Sequence, residues 1–425
     1  MLALRRFLPM LPARARGALR AGVFGCLALA LLGGCETLES INPFADDGEE
    51  QPADLVDFNE EARIDVRWDT QVGDGQGDKF LGLAPAVSGP RVYAADAWGV
   101  VEAYERETGK RVWRVEIANP TPPRPWSQRV RFWMPVDDSF VSAGVGAGAG
   151  ALFVGTDSGE VIALDDLDGR ELWRARVSSE VASAPQTDGD IVAVMTLDGK
   201  LVALDRATGA RRWSYDTQVP VLTLRGAARP ILLDGIVIAA FPNGRLVALR
   251  AKGGEPVWEH RVALPQGRSE LDRMVDVDGA PTVAGQALYA ASYQGRIKAL
   301  RLGDGNPVWE REMSSYQSLT NGQGLIYVVG KDDQVNALDQ QTGETTWSNA
   351  TFRLRALTGG AVSGSYLLFG DAQGYLHALA QSDGRVVARM RIDSDGQRSD
   401  FTIADGVIYG YSNGGTLYAV SIVAK

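Results

Sequence analysis

Metal or acid–base chemistry would have to start from His260 and His377, the two histidines of the chain. They stand 117 residues apart, and neither lies in a cluster with metal-ligand spacing. Each is expected on a strand, turned to solvent or to a satisfied neighbour. Phosphate binding would fall to Gly144-Val-Gly-Ala-Gly-Ala-Gly150, but no Lys-Ser/Thr follows and no helix begins there. A turn leading into a strand at Leu152-Phe153-Val154 is the expectation. Carboxylates such as Asp165 and Asp205 recur at one place in a repeat, which marks turn caps and not a unique acid/base pair. No catalytic constellation emerges. The chain is expected to be no enzyme and to hold no cofactor and no metal.

Thiol chemistry is confined to Cys26 and Cys35. The first 34 residues carry Arg5, Arg6, Arg14, Arg16 and Arg20 and no acid, followed by an apolar run from Ala21 to Leu32. That order reads as a secretory signal, and 12 apolar residues are too few to span a bilayer. Leu32-Gly33-Gly34-Cys35 resembles a bacterial lipobox, in which the cysteine thiol is lipidated and becomes the new N-terminus. A plain signal cleaved nearby is the alternative. Several acyl chains on one residue give stable anchoring where a single chain is marginal. Glu36 replaces the Asp of an inner-membrane retention signal, so the outer membrane is the expected location, with the folded part in the periplasm.

Cleavage before Cys35 leaves no second cysteine and hence no disulfide. It also leaves 38 basic against 53 acidic residues, a net charge of −15, which suits nucleic acid poorly. Residues 36–60 hold nine acids, no base, Pro43 and Pro52. Residues 1–34 are thus read as signal and 35–61 as a flexible acidic tether, leaving 62–425 as the folded domain.

What would position any functional group is a repeat: Gly, alternating apolar residues ending in Ala-Leu, a turn ending in Gly, then Trp. It runs from Gly159 to Trp173, Gly199 to Trp213, Gly244 to Trp258 and Gly295 to Trp309. Gly99 to Trp113 and Asp333 to Trp347 keep the spacing, Gly374 to Ala388 has lost the Trp, and Gly415 opens a last partial copy. The starts lie 60, 40, 45, 51, 38, 41 and 41 residues apart, the period of a propeller blade. In Leu201-Val-Ala-Leu204 alternate side chains face neighbouring blades, with Ala203 small where sheets approach. Thr208-Gly209 closes a tight turn, and Trp213 supplies an apolar body for the gap between blades. Ile64-Asp-Val-Arg-Trp68 looks like the strand missing from the last copy. The expected fold is all-β: an eight-bladed β-propeller of four-stranded antiparallel blades, its ring closed by that N-terminal strand. Seven or nine blades are the alternatives.

The long intervals arise from insertions between a Trp strand and the next blade. One lies near Val219 to Arg225 and another near Leu264 to Val277. Interrupting the same connection in successive blades, they emerge as neighbours on one face. A mixed patch of Arg225, Asp276 and Asp278 with apolar Leu222, Leu224 and Met274 is expected there, and would suit a protein partner. Solvated surface loops are the plain alternative. A third insertion, Pro120 to Asp138, holds Arg124, Trp126, Arg129, Arg131, Phe132 and Trp133. It would contact another subunit or anionic lipid, or pad the blade edge.

The signature Ala-Leu-Asp-x-x-Thr-Gly-x-x-x-Trp of residues 203–213 resembles the quinoprotein (PQQ-type) propeller repeat. Within that superfamily the stretches Val72-Gly-Asp-Gly75, Val92-Tyr-Ala-Ala-Asp96, Leu222-Thr-Leu-Arg-Gly226, Leu271-Asp-Arg-Met-Val-Asp-Val-Asp278 and Gly370-Asp-Ala-Gln-Gly-Tyr-Leu-His377 resemble the BamB family of assembly lipoproteins. The resemblance covers nearly all of residues 62–422 and implies a scaffold in the Bam complex. It would bind the POTRA domains of BamA and assist insertion of outer-membrane β-barrels. Partner-binding residues would fall on Leu222, Leu224, Arg225, Asp276 and Asp278. Direct capture of unfolded barrel proteins on blade edges stays open. A peptidoglycan- or carbohydrate-binding propeller and a PQQ-dependent dehydrogenase are the rival readings.

Overall fold

A computed structural model describes residues 51–77, 82–119, 138–224, 227–265, 268–269 and 271–425, and Pro52–Lys425 forms one compact unit. All regular structure among these residues is strand. Eight four-stranded antiparallel sheets occur, seven of them built in chain order. They occupy residues 86–116, 141–176, 186–216, 231–261, 282–312, 320–349 and 361–391, numbered here as blades one to seven. The eighth takes three strands from 402–424 and its outermost strand, Ala62–Gln71, from the other end of the domain. First strands of neighbouring blades contact one another around the axis, so the fourth strands form the rim. The ring is an eight-bladed β-propeller closed as the sequence predicts.

Local register explains the repeat. In the third blade Ala203 pairs with Trp213 but Leu204 pairs with Arg211, so one residue bulges from the rim strand. The same irregularity follows Ala103, Ala163, Ala248, Ala299, Ala337 and Ala378. The small Ala opposite leaves room for the indole, which reaches over to the next blade. There its N–H donates to a turn carbonyl: Trp173 to Arg206 O at 2.8 Å, Trp213 to Ala251 O at 2.8 Å, Trp258 to Leu302 O at 2.9 Å. The ring lies flat on the turn glycine. A Cβ on Gly209, at φ +71°, would come within 2.6 Å of the Trp173 ring. Trp113, Trp309 and Trp347 do the same, and Trp68, paired with Ala419, performs the task for the closing strand with Arg106 O at 2.9 Å.

Only Ala388 departs, and the topology supplies the reason. Its neighbour is the eighth blade, whose rim strand comes from residues 62–71, so no turn links that blade's third and fourth strands. The glycine an indole would cover is missing. Ala388 instead packs in a cluster with Ala62, Tyr418 and Val420, with Ile64 and Val66 against it. Between blades, faces interlock: Phe153, Val161 and Ala163 of the second blade meet Val192, Val194 and Val202 of the third. Each such buried aliphatic or aromatic side chain contributes about 1.5–3 kcal/mol.

The expected tether, 35–61, needs a correction at its C-terminal end. Residues 53–61 carry no regular structure, yet they are bonded along the rim of the seventh blade. Composition could not reveal this, because most of the contacts use backbone amides and carbonyls, joined by the Phe58 ring and the Glu61 carboxylate. Cys35, and the insertion from Pro120 to Pro135 and on to Asp137, lie outside the described residues.

Candidate functional site

Each blade sends its rim strand to the next blade's axial strand across one face, here called the connection face. Residues 217–230 and 262–281 make two such crossings on either side of the fourth blade. They present a run of apolar side chains to solvent: Val221 is 90% exposed, Leu264 and Leu271 each 59%, and Leu222 44%. Leu224 is half-buried, and Arg225 lies outside the described residues.

The acidic half of the expected patch is differently built. Met274, Val275, Asp276 and Val277 are all buried, so this stretch folds inward and does not project. Asp276 is fully buried; its Oδ2 accepts the Leu224 amide at 3.3 Å and its carbonyl accepts the Tyr293 amide at 2.8 Å. Oδ1 has no partner. Burial pushes its carboxyl up to about 6, against the pull of the Leu224 N–H. The sequence placed Asp276 and Met274 on a surface patch, and the structure places both in the interior. Proximity of the two insertions does hold, since Asp276 binds one crossing to the other.

Asp278 points elsewhere again. It lines a cavity of about 230 Å³ at the ring axis, with Glu180, Arg229, Arg398 and Asp400. Gly279 beside it approaches the Gln317 carbonyl so closely that no Cβ fits. Desolvation, followed by the charge of Asp276, pushes the Asp278 carboxyl up to about 8. Small residues line much of this cavity, and Tyr316 is its one aromatic among the described residues. Aromatic stacking surfaces, which a sugar-binding funnel would display, are scarce there.

His377 was expected at solvent or with a satisfied neighbour; it is wholly buried with two neighbours. Its Nε2 lies 2.9 Å from Asp371 Oδ2, and Arg389 Nε donates to its Nδ1 at 3.3 Å. Arg355 donates to the same Asp371 oxygen at 2.6 and 2.8 Å. Desolvation lowers the His377 pKa, and a neutral ring with the proton on Nε2 fits both contacts. Sequence reasoning missed this network. Its signal was the Asp371/His377 pair flanking one hairpin turn, but Arg355 and Arg389 join it only through the fold. His260 is half-buried near the Lys298 ammonium, and burial and that charge lower its pKa. No group of three or more metal-type ligands occurs among the described residues.

The staple of Trp on turn glycine, repeated around an eight-bladed ring, defines a propeller of the quinoprotein type. Quinohemoprotein alcohol dehydrogenase from Comamonas testosteroni shares that fold at 16% identity and TM-score 0.63, over 84% of this chain and 76% of that one. A family profile described as outer membrane protein assembly factor BamB matches residues 97–349 and 331–424. BamB of Pseudomonas aeruginosa is 43% identical over 87% of this chain and 92% of its own. For BamB of Escherichia coli the identity is 31%, over 93% and 97%. The crystal structure of BamB from Moraxella catarrhalis superposes with TM-score 0.71 at 30% identity, covering 83% of this chain and all of that one. The chain belongs to the BamB family, whose curated members are named outer membrane protein assembly factors.

Proposed function

We propose that this propeller serves outer-membrane protein assembly as a non-catalytic scaffold of the Bam complex, docking through its connection face onto the POTRA domains of BamA. The observation that carries the reading is the Asp276 clamp. One buried carboxylate holds the Leu222–Leu224 segment against the neighbouring crossing. Two loops that display four exposed apolar residues are thereby fixed as one surface. Rigid apolar anchors inside a polar rim are what a protein partner needs.

The expected contact residues divide accordingly. Leu222 and Arg225 are assigned to touch the partner; Asp276 positions Leu224 and touches nothing outside. Asp278 faces the axial cavity, and its assigned part in docking is indirect, through Asp276. Relatives named as assembly factors support the absence of catalysis. A lipid on Cys35 would hold the ring at the periplasmic side of the outer membrane, with residues 1–34 removed.

The test is capture from detergent-solubilised envelopes, comparing wild type with Leu222→Asp and with Arg225→Glu. Recovery of a BamA-type barrel protein by wild type and its loss in both variants is the expected result. Equal recovery by all three would move the interface away from these loops, and no recovery by any would remove the BamA assignment.

A further inference from the structure

Residues 53–61 cross the full thickness of the ring along the seventh blade. At one end the Ala53 amide donates to Arg353 O at 2.9 Å, and Arg355 Nη1 donates back to Ala53 O at 2.9 Å. Midway, Arg389 Nη1 donates to Val56 O at 3.0 Å, and its guanidinium lies 4.9 Å from the Phe58 ring centre. Phe58 also packs on the cluster of Trp347, Phe352 and Val386. At the far end the Glu61 amide donates to Val387 O at 3.1 Å, and its carboxylate takes Arg385 at 2.7 and 3.0 Å.

The two ends lie on opposite faces. Arg353 and Arg355 belong to the crossing between Asn349 and Ala361, on the connection face. Arg385 belongs to the hairpin between Ala380 and Val386, on the other face. With the segment docked, whatever precedes Ala53 leaves from the connection face, the one that carries Leu222, Leu264 and Leu271. With it released, the chain would leave from the hairpin face, where the closing strand starts at Ala62.

The same segment caps a buried charge network. Arg355 and Arg389, committed inward to Asp371 and His377, have outward donors left over, and the Ala53 and Val56 carbonyls accept them. Undocking would exchange these bonds, one part-buried and one exposed, for bonds to water and would uncover the Phe58 ring, and the loss of that apolar contact opposes release.

We propose that Ala53–Glu61 is a strap that sets which face of the ring is turned to a lipid surface: docked, it presents the connection face. This rests on reading Cys35 as the lipid-bearing residue. The 18 residues from Cys35 to Ala53 extend at most about 60 Å. Freeing residues 53–61 would add about 30 Å and move the exit to the opposite face.

The experiment uses the purified lipidated chain on vesicles of phosphatidylethanolamine and phosphatidylglycerol carrying an acceptor-labelled lipid. A donor dye sits on Lys331→Cys, in a connection-face turn, or on Lys252→Cys, in a hairpin-face turn; both side chains are exposed. Energy transfer should be about twofold higher from position 331 than from 252 with the strap intact. It should equalise or invert in Ala53→Pro/Phe58→Ser, which alters the strap and no ring residue. Equal or inverted transfer in the intact chain overturns the proposal, and so does a difference that survives the strap variant. Failure to partition onto vesicles would count against the lipid on Cys35 alone. The strap is then judged by hydrogen exchange at the Ala53 and Glu61 amides: protection supports it, and exchange at free-chain rates overturns it.

Discussion

The Leu224 amide donates to the buried carboxylate of Asp276 across 3.3 Å, joining two crossings that lie 52 residues apart in the chain. Removing the acceptor in Asp276→Ala leaves a half-buried amide without its partner, at a cost of about 1–3 kcal/mol. Asp276→Asn keeps an oxygen in place. The expected order of partner capture is therefore wild type and Asn alike, then Ala far weaker. In urea melts at pH 7 Asn should match or exceed wild type, because it removes a charge whose burial is unfavourable, and Ala should fall below Asn. Equal loss in Asn and Ala would mean that the charge itself meets the partner.

Asp278 gives stability a pH dependence of unusual sign. Its folded pKa, about 8, stands above the unfolded value, so its favourable contribution is complete at low pH and is lost as pH rises through 8. Asp276, raised to about 6, behaves alike at lower pH. His377 opposes them, because its folded pKa is depressed and its protonation costs stability as pH falls below about 6.5. Asp278→Asn should stabilise the ring at pH 8 by up to about 5 kcal/mol and change little at pH 4. Denaturant midpoints at the two pH values check this, and an unchanged midpoint at pH 8 would place the Asp278 carboxylate in water.

Turn glycines divide into two kinds that a melt can separate. Gly209, at φ +71°, lies under the Trp173 ring, whereas a Cβ on Gly364, at φ +59°, would meet nothing within 4 Å. Gly364→Ala bears only the backbone term, about 1–2 kcal/mol. Gly209→Ala adds displacement of the indole and should cost about 3–4 kcal/mol, with a shift in tryptophan emission. Comparable midpoints for both variants would show that the staple tolerates a methyl group.

Much of this architecture is legible in one sequence because the physics repeats. Period-two alternation and a turn glycine recur seven times with the spacing of a blade, a rim Trp accompanies six of them, and Trp68 marks the strand that completes the eighth. The site is less legible for a specific reason. Alternation over Met274–Asp278 looks the same whether its acids face water or the interior, and their burial is decided by Leu224 and Tyr293 from other parts of the chain. Acidic composition before Ala62 likewise predicts a free tether. The docking bonds of Ala53 and Val56 use carbonyls, which every residue carries, so no side-chain pattern records them.

Ala388 tests whether the closing seam is a degraded staple or a different joint. If the position had merely lost its Trp, Ala388→Trp would restore a contact and raise stability. The structure argues the reverse: the eighth blade has no turn between its third and fourth strands, and Ile64, Val66 and Tyr418 already fill the space around Ala388. A ring forced in there must push the closing strand away, at about 1–3 kcal/mol for overpacking. Ala388→Trp should therefore melt earlier than wild type and speed hydrogen exchange of the Ile64 and Val66 amides. Trp68→Ala, which removes the closing strand's own staple, should cost about 3–5 kcal/mol and open the same seam. A stabilised Ala388→Trp would mean that the seam holds a vacant slot, and that the ring closes less tightly than its packing implies.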